Sequence, residues 1–553
     1  MGIASELRSS AILLAFLCFL IENRSGAEKV LLVPPPLGDS HWITLAKIGR
    51  ALLDRGHVVT VVVSGDMAEK QRTEWPDFQF ETFQDRGTHA KLRALQDNAY
   101  SSAGKLPPSK EKGVLFAAFR ELREHCVLLL GDSTLIARLR ASQFSVVISD
   151  PIFPCGAILS AHIDLRVPHI SVMRGDPLFL DVKATGVPLP PSYVPFLATV
   201  FTDNMTFAQR LQNAVLYTVI PVIARREASS LYDELVRKFV DEEETIQSVT
   251  SRTDLWFYQT DYLLLDYPRP TMPNMVQVGG LNVRAAAPLT EDMEAFVQRS
   301  GDDGVIVVSF GSVVKTMPED KREIFASAFA RLRQKVLWRY VGEKPAGLGK
   351  NTKLLSWLPQ NDLLAHPKTR AFVTHAGSNG LYEALHHGVP VVCLPLFGDQ
   401  PANAARVVAR GLGVTLDFST VTADQLFQAI LDVLTNNSYR ETAARLSRLH
   451  RDQPQSPMDY RETAARLSRL HRDQPQSPME RAVWWIEHVI QHGRLPHLRA
   501  RAVELPWYQY YLLDVAAFLL SVCSAVLGTV WCGCSLVCRK CCATKGGGKL
   551  KSQ

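Results

Sequence analysis

Short apolar runs, each followed by a helical pattern, recur along this chain and point to parallel sheets. KVLLV at 29–33 is broken by PPPLGDS, a helical stretch runs from about His41 to Arg55, and HVVTVVV resumes an apolar strand, which together read as a βαβ unit. A second series opens at VIVVSF (305–310), continues through a Gly-Ser loop and a helix to VLWRY (336–340), and then passes AFVTH, another helix and VPVVCLP. Between the two, DYPRPTMPN (266–274) carries three prolines and reads as the approach to a linker, with the boundary near residue 285. The expected fold is α/β, with two Rossmann-like halves at 28–285 and 286–505. A chain of 553 residues, 46% hydrophobic and 21% charged, has the composition for more than one core. Its net charge of +6 is spread along the sequence rather than gathered into a stripe, which argues against nucleic acid as a partner.

Both ends speak of a membrane. Ala11 to Ile21 is uninterrupted and apolar, with Arg8 before it and Ser25 and Ala27 after it, the pattern of a signal peptide cleaved after Ala27. Val515 to Cys538 carries no charge and is long enough to cross a bilayer. Trp507, Tyr508, Tyr510 and Tyr511 precede it where an aromatic belt belongs, and Arg539, Lys540, Lys545, Lys549 and Lys551 follow it. The expectation is a single-pass type I protein with its mass in the lumen and a cytosolic tail at 539–553. Lys549 and Lys551, fifth and third from the C terminus, resemble the dilysine retrieval signal of the endoplasmic reticulum. Asn204 and Asn436 head glycosylation acceptor triplets in that compartment. Only Cys126, Cys155 and Cys393 fall in the lumenal part, and this number implies no disulfide framework.

The densest segment runs from Trp357 to Gln400. Within it AFVTH is a buried strand, AGSNG a turn of small residues and LYEALHH a helix, so peptide N–H groups point outward at a helix N-terminus, where a diphosphate would bind. Trp357 offers a ring for stacking, Gln360 an amide for a base edge and Glu383 a carboxylate for ribose hydroxyls, while Asp399 and Gln400 follow the next strand. Loops after the strands of a doubly wound sheet gather at one edge, so these residues can face a single crevice.

This segment resembles the donor-binding signature of UDP-dependent glycosyltransferases, and the chain resembles a vertebrate-type UDP-glucuronosyltransferase nearly end to end. The resemblance implies a GT-B fold, two facing Rossmann-like domains with UDP-sugar in the C-terminal one and acceptor in the N-terminal one. It implies that Trp357 stacks on uracil, that Gln360 and Glu383 hold the nucleoside, and that Ser312, His375, Ser378, Asn379 and Gly380 line the diphosphate. Asp399 and Gln400 would hold sugar hydroxyls, and Arg339 is a further candidate for the donor pocket. His41 in GDSHW, at the edge after the first strand, would be the base, and Asp150, ending VVIS, would orient it. The chain has no Asp-x-Asp, so no metal or other cofactor is expected, only UDP-sugar as co-substrate, and direct attack on C1 would invert the anomeric centre.

Three departures mark this chain. Ala376 stands where relatives often have glycine. Gln259 stands where glucuronyl-transferring relatives often carry an arginine for the sugar carboxylate, so either Gln259 faces the sugar C6 group or a cation from an N-terminal loop does. YRETAARLSRLHRDQPQSPM occurs at 439–458 and again, letter for letter, at 460–479, which fits a tandem duplication or a gene-model error better than a repeat architecture. The expected activity is transfer of glucuronic acid to small lipophilic acceptors. UDP-glucose, UDP-galactose and UDP-N-acetylglucosamine remain alternative donors. A silent nucleotide-sugar-binding subunit remains the alternative from another class, and assembly with itself or with relatives stays open.

Overall fold

The computed structural model describes residues 27–435 and 477–545, apart from 37–38, 86, 102–107, 176–179, 198, 261–265, 312–313, 315, 499, 501–502, 504 and 512. The expected signal peptide, most of the duplication, Ser312, Asn436, Lys549 and Lys551 lie outside the described residues. Two units emerge, one up to residue 499 and one from residue 500.

The first unit holds two parallel sheets. In chain order the first has β1 (Lys29–Val33), β2 (Val58–Ser64), β3 (Gln79–Phe83), β4 (Val146–Ser149), β5 (His169–Met173), β6 (Leu255–Tyr258) and β7 (Met275–Gln277), in the spatial order 3-2-1-4-5-6-7. The second has β8 (Val305–Ser309), β9 (Lys335–Arg339), β10 (Thr352–Leu355), β11 (Thr369–Thr374), β12 (Val391–Cys393) and β13 (Gly413–Thr415), in the order 10-9-8-11-12-13. Counted from its own first strand, the second sheet repeats the 3-2-1-4-5-6 order of a dinucleotide-binding fold. The order reverses between β1 and β4 in one sheet and between β8 and β11 in the other.

Helices fill the connections. Those that build or brace the site are α1 (Asp39–Asp54), α2 (Pro108–Gly131), α3 (Cys155–Ile163), α4 (Phe207–Phe239), α5 (Ser378–His387), α6 (Gln400–Ala409) and α7 (Pro478–His492). The central strands β1, β4 and β8 are largely apolar because both faces are covered. Val30 and Leu32 enter one core with Trp42, Leu45 and Ile48 of α1, while Leu31 and Val33 enter the other with α2 and α3. Val305 and Val307 are likewise divided from Ile306 and Val308. Each side chain so buried contributes about 1.5–3 kcal/mol relative to an exposed one.

Of three long-range features, the first departs from the sequence expectation. Cys126 of α2 and Cys155 of α3 form a disulfide with their Cα atoms 5.6 Å apart, which corrects the inference drawn from cysteine number. The pair forms because two helices pack on the same sheet face, and spacing along the chain cannot reveal that. Among the described residues Cys393 and three cysteines of the C-terminal apolar helix are free. The proline-rich run at 266–274 precedes β7, so the chain returns to the first sheet after it, and Asp266 is clamped to the second half. It pairs with Arg406 at 2.9 Å, accepts from Tyr382 Oη at 3.0 Å, and its carbonyl accepts from Arg410 at 2.5 Å. Helix α7, although it follows the second sheet in sequence, buries Ala482, Val483, Ile486 and Val489 in the core of the first. A capping box starts it, in which Ser477 and Glu480 satisfy each other's backbone N–H groups.

The second unit contains α8 (Leu513–Lys545), whose residues Leu513–Leu536 have a mean hydropathy of 2.1. Twenty-four residues of helix span about 36 Å, enough for a bilayer core of about 30 Å.

Candidate active site

At the first reversal the turn after β1 leads into α1, and Asp150 follows β4. His41 therefore lies in the first turn of α1 with its Nδ1 2.5 Å from Asp150 Oδ2. The side chain of Asp150 is 5% exposed and that of His41 20%, so one member is held inside and the other reaches the cleft. Asp150 also accepts from the N–H of Ile152 at 3.0 Å, which fixes its carboxylate while leaving the imidazole Nε2 uncommitted to Asp150. One turn along α1, Thr44 accepts from Asn282 Nδ2 at 2.9 Å and from Gln259 Nε2 at 3.4 Å. Gln259 is buried there, beyond the end of β6.

At the second reversal β11 ends at Thr374, and three residues later α5 begins with Gly377 as its N-cap. The turn is tight enough that Ala376 adopts φ +64°, a left-handed conformation that costs an L-residue about 1–2 kcal/mol. His375 fills the space between this turn and the loop after β8. A Cβ on Gly377 would stand 2.5 Å from its Nε2, and one on Gly311 2.7 Å. Burial pushes the His375 imidazole down to about 4, with Arg174 and Arg339 adding to the effect and Asp399 opposing it. At neutral pH it is an uncharged ring beside a helix N-terminus.

Around this turn the sequence-selected residues converge. Ser378 Oγ donates to Asp399 Oδ2 at 2.8 Å, and Asn403 of α6 braces both, reaching Asp399 at 2.8 Å and the carbonyl of Ala376 at 3.1 Å. Asn379 accepts from Asn282 Nδ2 at 2.8 Å, and Gly380 packs against the Gln360 amide. Gln360 donates to Glu383 at 2.6 Å. Burial raises the Glu383 pKa, against the Gln360 hydrogen bond and the charges of Lys47 and Arg284. Trp357 is 63% exposed, with the Arg339 guanidinium 4.9 Å from its ring centroid; Arg339 also reaches the Gly311 carbonyl and the Ser356 carbonyl. One face of the indole is thus supported and the ring remains open for a planar partner. Gln400 is buried, and its amide oxygen accepts from the N–H groups of Leu396 and Phe397, which commits that oxygen to the loop.

Several residues that hold the cleft together carried no motif. Lys47 of α1 donates to the carbonyl of Asn282 at 2.5 Å, and its pKa is lowered by burial first and by Arg284, with Glu383 opposing. Asn282 ties α1 of the first half to α5 of the second. Arg174, just beyond β5, is half-buried and interacts electrostatically with Asp399, Asp150 and His375. The signal open to sequence reading was position: each follows a strand or sits one or two turns from His41. Among the described residues no group of three or more His, Cys, Asp or Glu gathers to hold a metal ion.

Known proteins carry the same architecture. The family described as UDP-glucoronosyl and UDP-glucosyl transferase matches residues 28–460 and 458–548, two stretches that meet inside the duplicated segment. The chain belongs to this family. UDP-glucuronosyltransferase 1-2 of Rattus norvegicus is 39% identical over 553 residues, covering 99% of this chain and 97% of the relative. UDP-glucuronosyltransferase 2C1 of Oryctolagus cuniculus is 40% identical, over 93% and 99%. Among solved structures, Os79 from O. sativa in complex with U2F and trichothecene has a TM-score of 0.56 at 19% identity, over 83% of this chain and 100% of that one. The calicheamicin glycosyltransferase CalG4 has a TM-score of 0.53 at 18% identity, over 84% and 99%. The fold is GT-B, and this member of the UDP-glycosyltransferase family is an enzyme of UDP-sugar transfer.

Proposed function

We propose that the enzyme moves glucuronic acid from UDP-glucuronate to a hydroxyl of small lipophilic acceptors, with inversion at C1, on the lumenal side of the endoplasmic reticulum membrane. The observation that carries the reading is the 2.5 Å contact of His41 with Asp150 at one strand reversal, in the same body as the anion-receptive turn at the other. His41 Nε2 takes the acceptor proton as the acceptor oxygen bonds to C1. The C1–O bond to the diphosphate breaks, and its electron pair leaves with UDP. Asp150 holds the Nδ1 proton and stabilises the imidazolium. The N–H groups opening α5 and the neutral His375 meet the charge that develops on the leaving group. Trp357 stacks on uracil, Gln360 and Glu383 hold the ribose side, and Asp399, fixed by Ser378 and Asn403, takes sugar hydroxyls. Gln400 would join it through its amide nitrogen.

The names of the relatives support glucuronate as donor, and α8 supports a membrane anchor of type I orientation with the exposed Asn204 open to glycosylation. Microsomes holding the full chain, given radiolabelled UDP-glucuronate and a panel of phenols and steroids, should yield β-glucuronides. Label incorporated only from UDP-glucose, or from no donor, would refute the donor or the enzyme reading respectively.

A further inference from the structure

The register of the first sheet sets Ser171 of β5 beside Ser149 of β4, so Arg174 leaves the carboxyl edge next to Asp150. On its other side, Gln259 donates its N–H to the carbonyl of Met173. The Arg174 guanidinium is desolvated and is held charged by Asp399 of the second half and Asp150 of the first. It therefore lies among the base and its partner, the turn at His375 and the loop at Asp399, the place where a transferred sugar has to sit between acceptor and diphosphate.

Among the described residues this guanidinium has no hydrogen-bond or ion-pair partner. Asp150 is committed to His41 and Ile152, and Asp399 to Ser378 and Asn403. A half-buried guanidinium whose N–H donors meet no described partner is open to an anion that completes them. The diphosphate has the N-terminus of α5. The other anion that UDP-glucuronate brings is the C6 carboxylate.

We propose that Arg174 receives the C6 carboxylate of the donor sugar and sets the preference for a uronate over a neutral hexose, an inference that rests on the transfer reading above. The planar fork of the guanidinium matches a carboxylate with two charge-assisted hydrogen bonds, whereas the CH2OH of glucose brings no charge to it. Gln259, the residue singled out by sequence for this contact, is the neighbour of Arg174 at the same sheet edge, but its amide turns to Thr44.

The test uses full-length protein in microsomes, one phenolic acceptor and both donors, for wild type, Arg174→Gln and Arg174→Lys. The ratio of kcat/KM for UDP-glucuronate over UDP-glucose should fall about 10–100-fold in Arg174→Gln, and Arg174→Lys, which keeps the charge without the fork, should recover part of it. Protection of both variants by free UDP against thermal inactivation establishes that they are folded. An unchanged donor ratio means that the guanidinium only balances Asp150 and Asp399. Equal loss with both donors, with weaker inhibition by free UDP, means that it holds the diphosphate. Either result overturns the proposal. A wild type that uses UDP-glucose but not UDP-glucuronate overturns the proposed donor itself, and the role of Arg174 with it.

Discussion

The two strand reversals share a topology and differ in electrostatics. Between β1 and β4 the chain places an imidazole and a carboxylate in direct contact, groups that can hold and release a proton. Between β8 and β11 it places an imidazole that burial keeps uncharged, a left-handed turn and a helix N-terminus, groups that receive negative charge without titrating at neutral pH. The parallel sheet decides where chemistry happens, and the residues following each strand decide which chemistry. In the proposed reaction proton transfer and charge acceptance fall to separate halves, which Asn282 and the Asp266 clamp join.

The comparison breaks first at His41. His41→Ala should lower kcat by about 10²–10⁴ while UDP still binds, because the loss is confined to the proton-handling edge. A parallel loss of UDP affinity would show that the two edges are not separable. Next, the first half alone among the described cores carries a disulfide, whose 29-residue separation corresponds to about 3.5 kcal/mol in the chain-entropy account. Cys126→Ala with Cys155→Ala should therefore lower the thermal midpoint, and limited proteolysis should find its new cuts within 28–285. Cuts confined to the second half would contradict this.

Acid tests both halves together. His169, buried between Ser149 and Thr253, is pushed down to about 3, by burial first and then by Arg494, and His375 to about 4. Below pH 6.5 the unfolded chain takes up protons that these folded sites refuse, so stability is full above 6.5 and declines as pH drops towards 4. Urea midpoints at pH 7 and pH 5 measure it, and His169→Asn should flatten the dependence; a steepened one would reverse the sign. The smallest effect is expected at the turn itself. Ala376→Gly relieves the left-handed backbone but adds freedom to the unfolded chain, a net gain of at most about 1 kcal/mol in thermal stability.

The strands were legible because residues buried on both faces leave continuous apolar runs, as KVLLV and VIVVS do. The strand, turn and helix from Thr369 to His387 were legible because an apolar run, small residues and a helical pattern follow one another without a break. Contacts that depend on tertiary approach were not. DYPRPTMPN reads as the approach to a linker from its prolines, and nothing in it reveals that Asp266 enters a cluster of Arg406, Arg410 and Tyr382 more than a hundred residues away. Arg174 follows HISVM without a motif around it, and its interaction with Asp399 arises only when the second half approaches. Gln400 follows a site-like loop, and only packing shows that its oxygen is used to brace that loop.

Helix α7 carries a consequence for synthesis. Its apolar face completes the core built on β1, β2 and β4, so that core is unfinished while the second sheet is being made. From Gln277 at the end of β7 to Leu495, the last apolar residue of this set, a ribosome adding about 5–20 residues per second needs roughly 10–40 s. During that interval the nascent first half exposes the site that Ile486 and Val489 will fill, a surface suited to a chaperone. The half that begins translation first is the last to close.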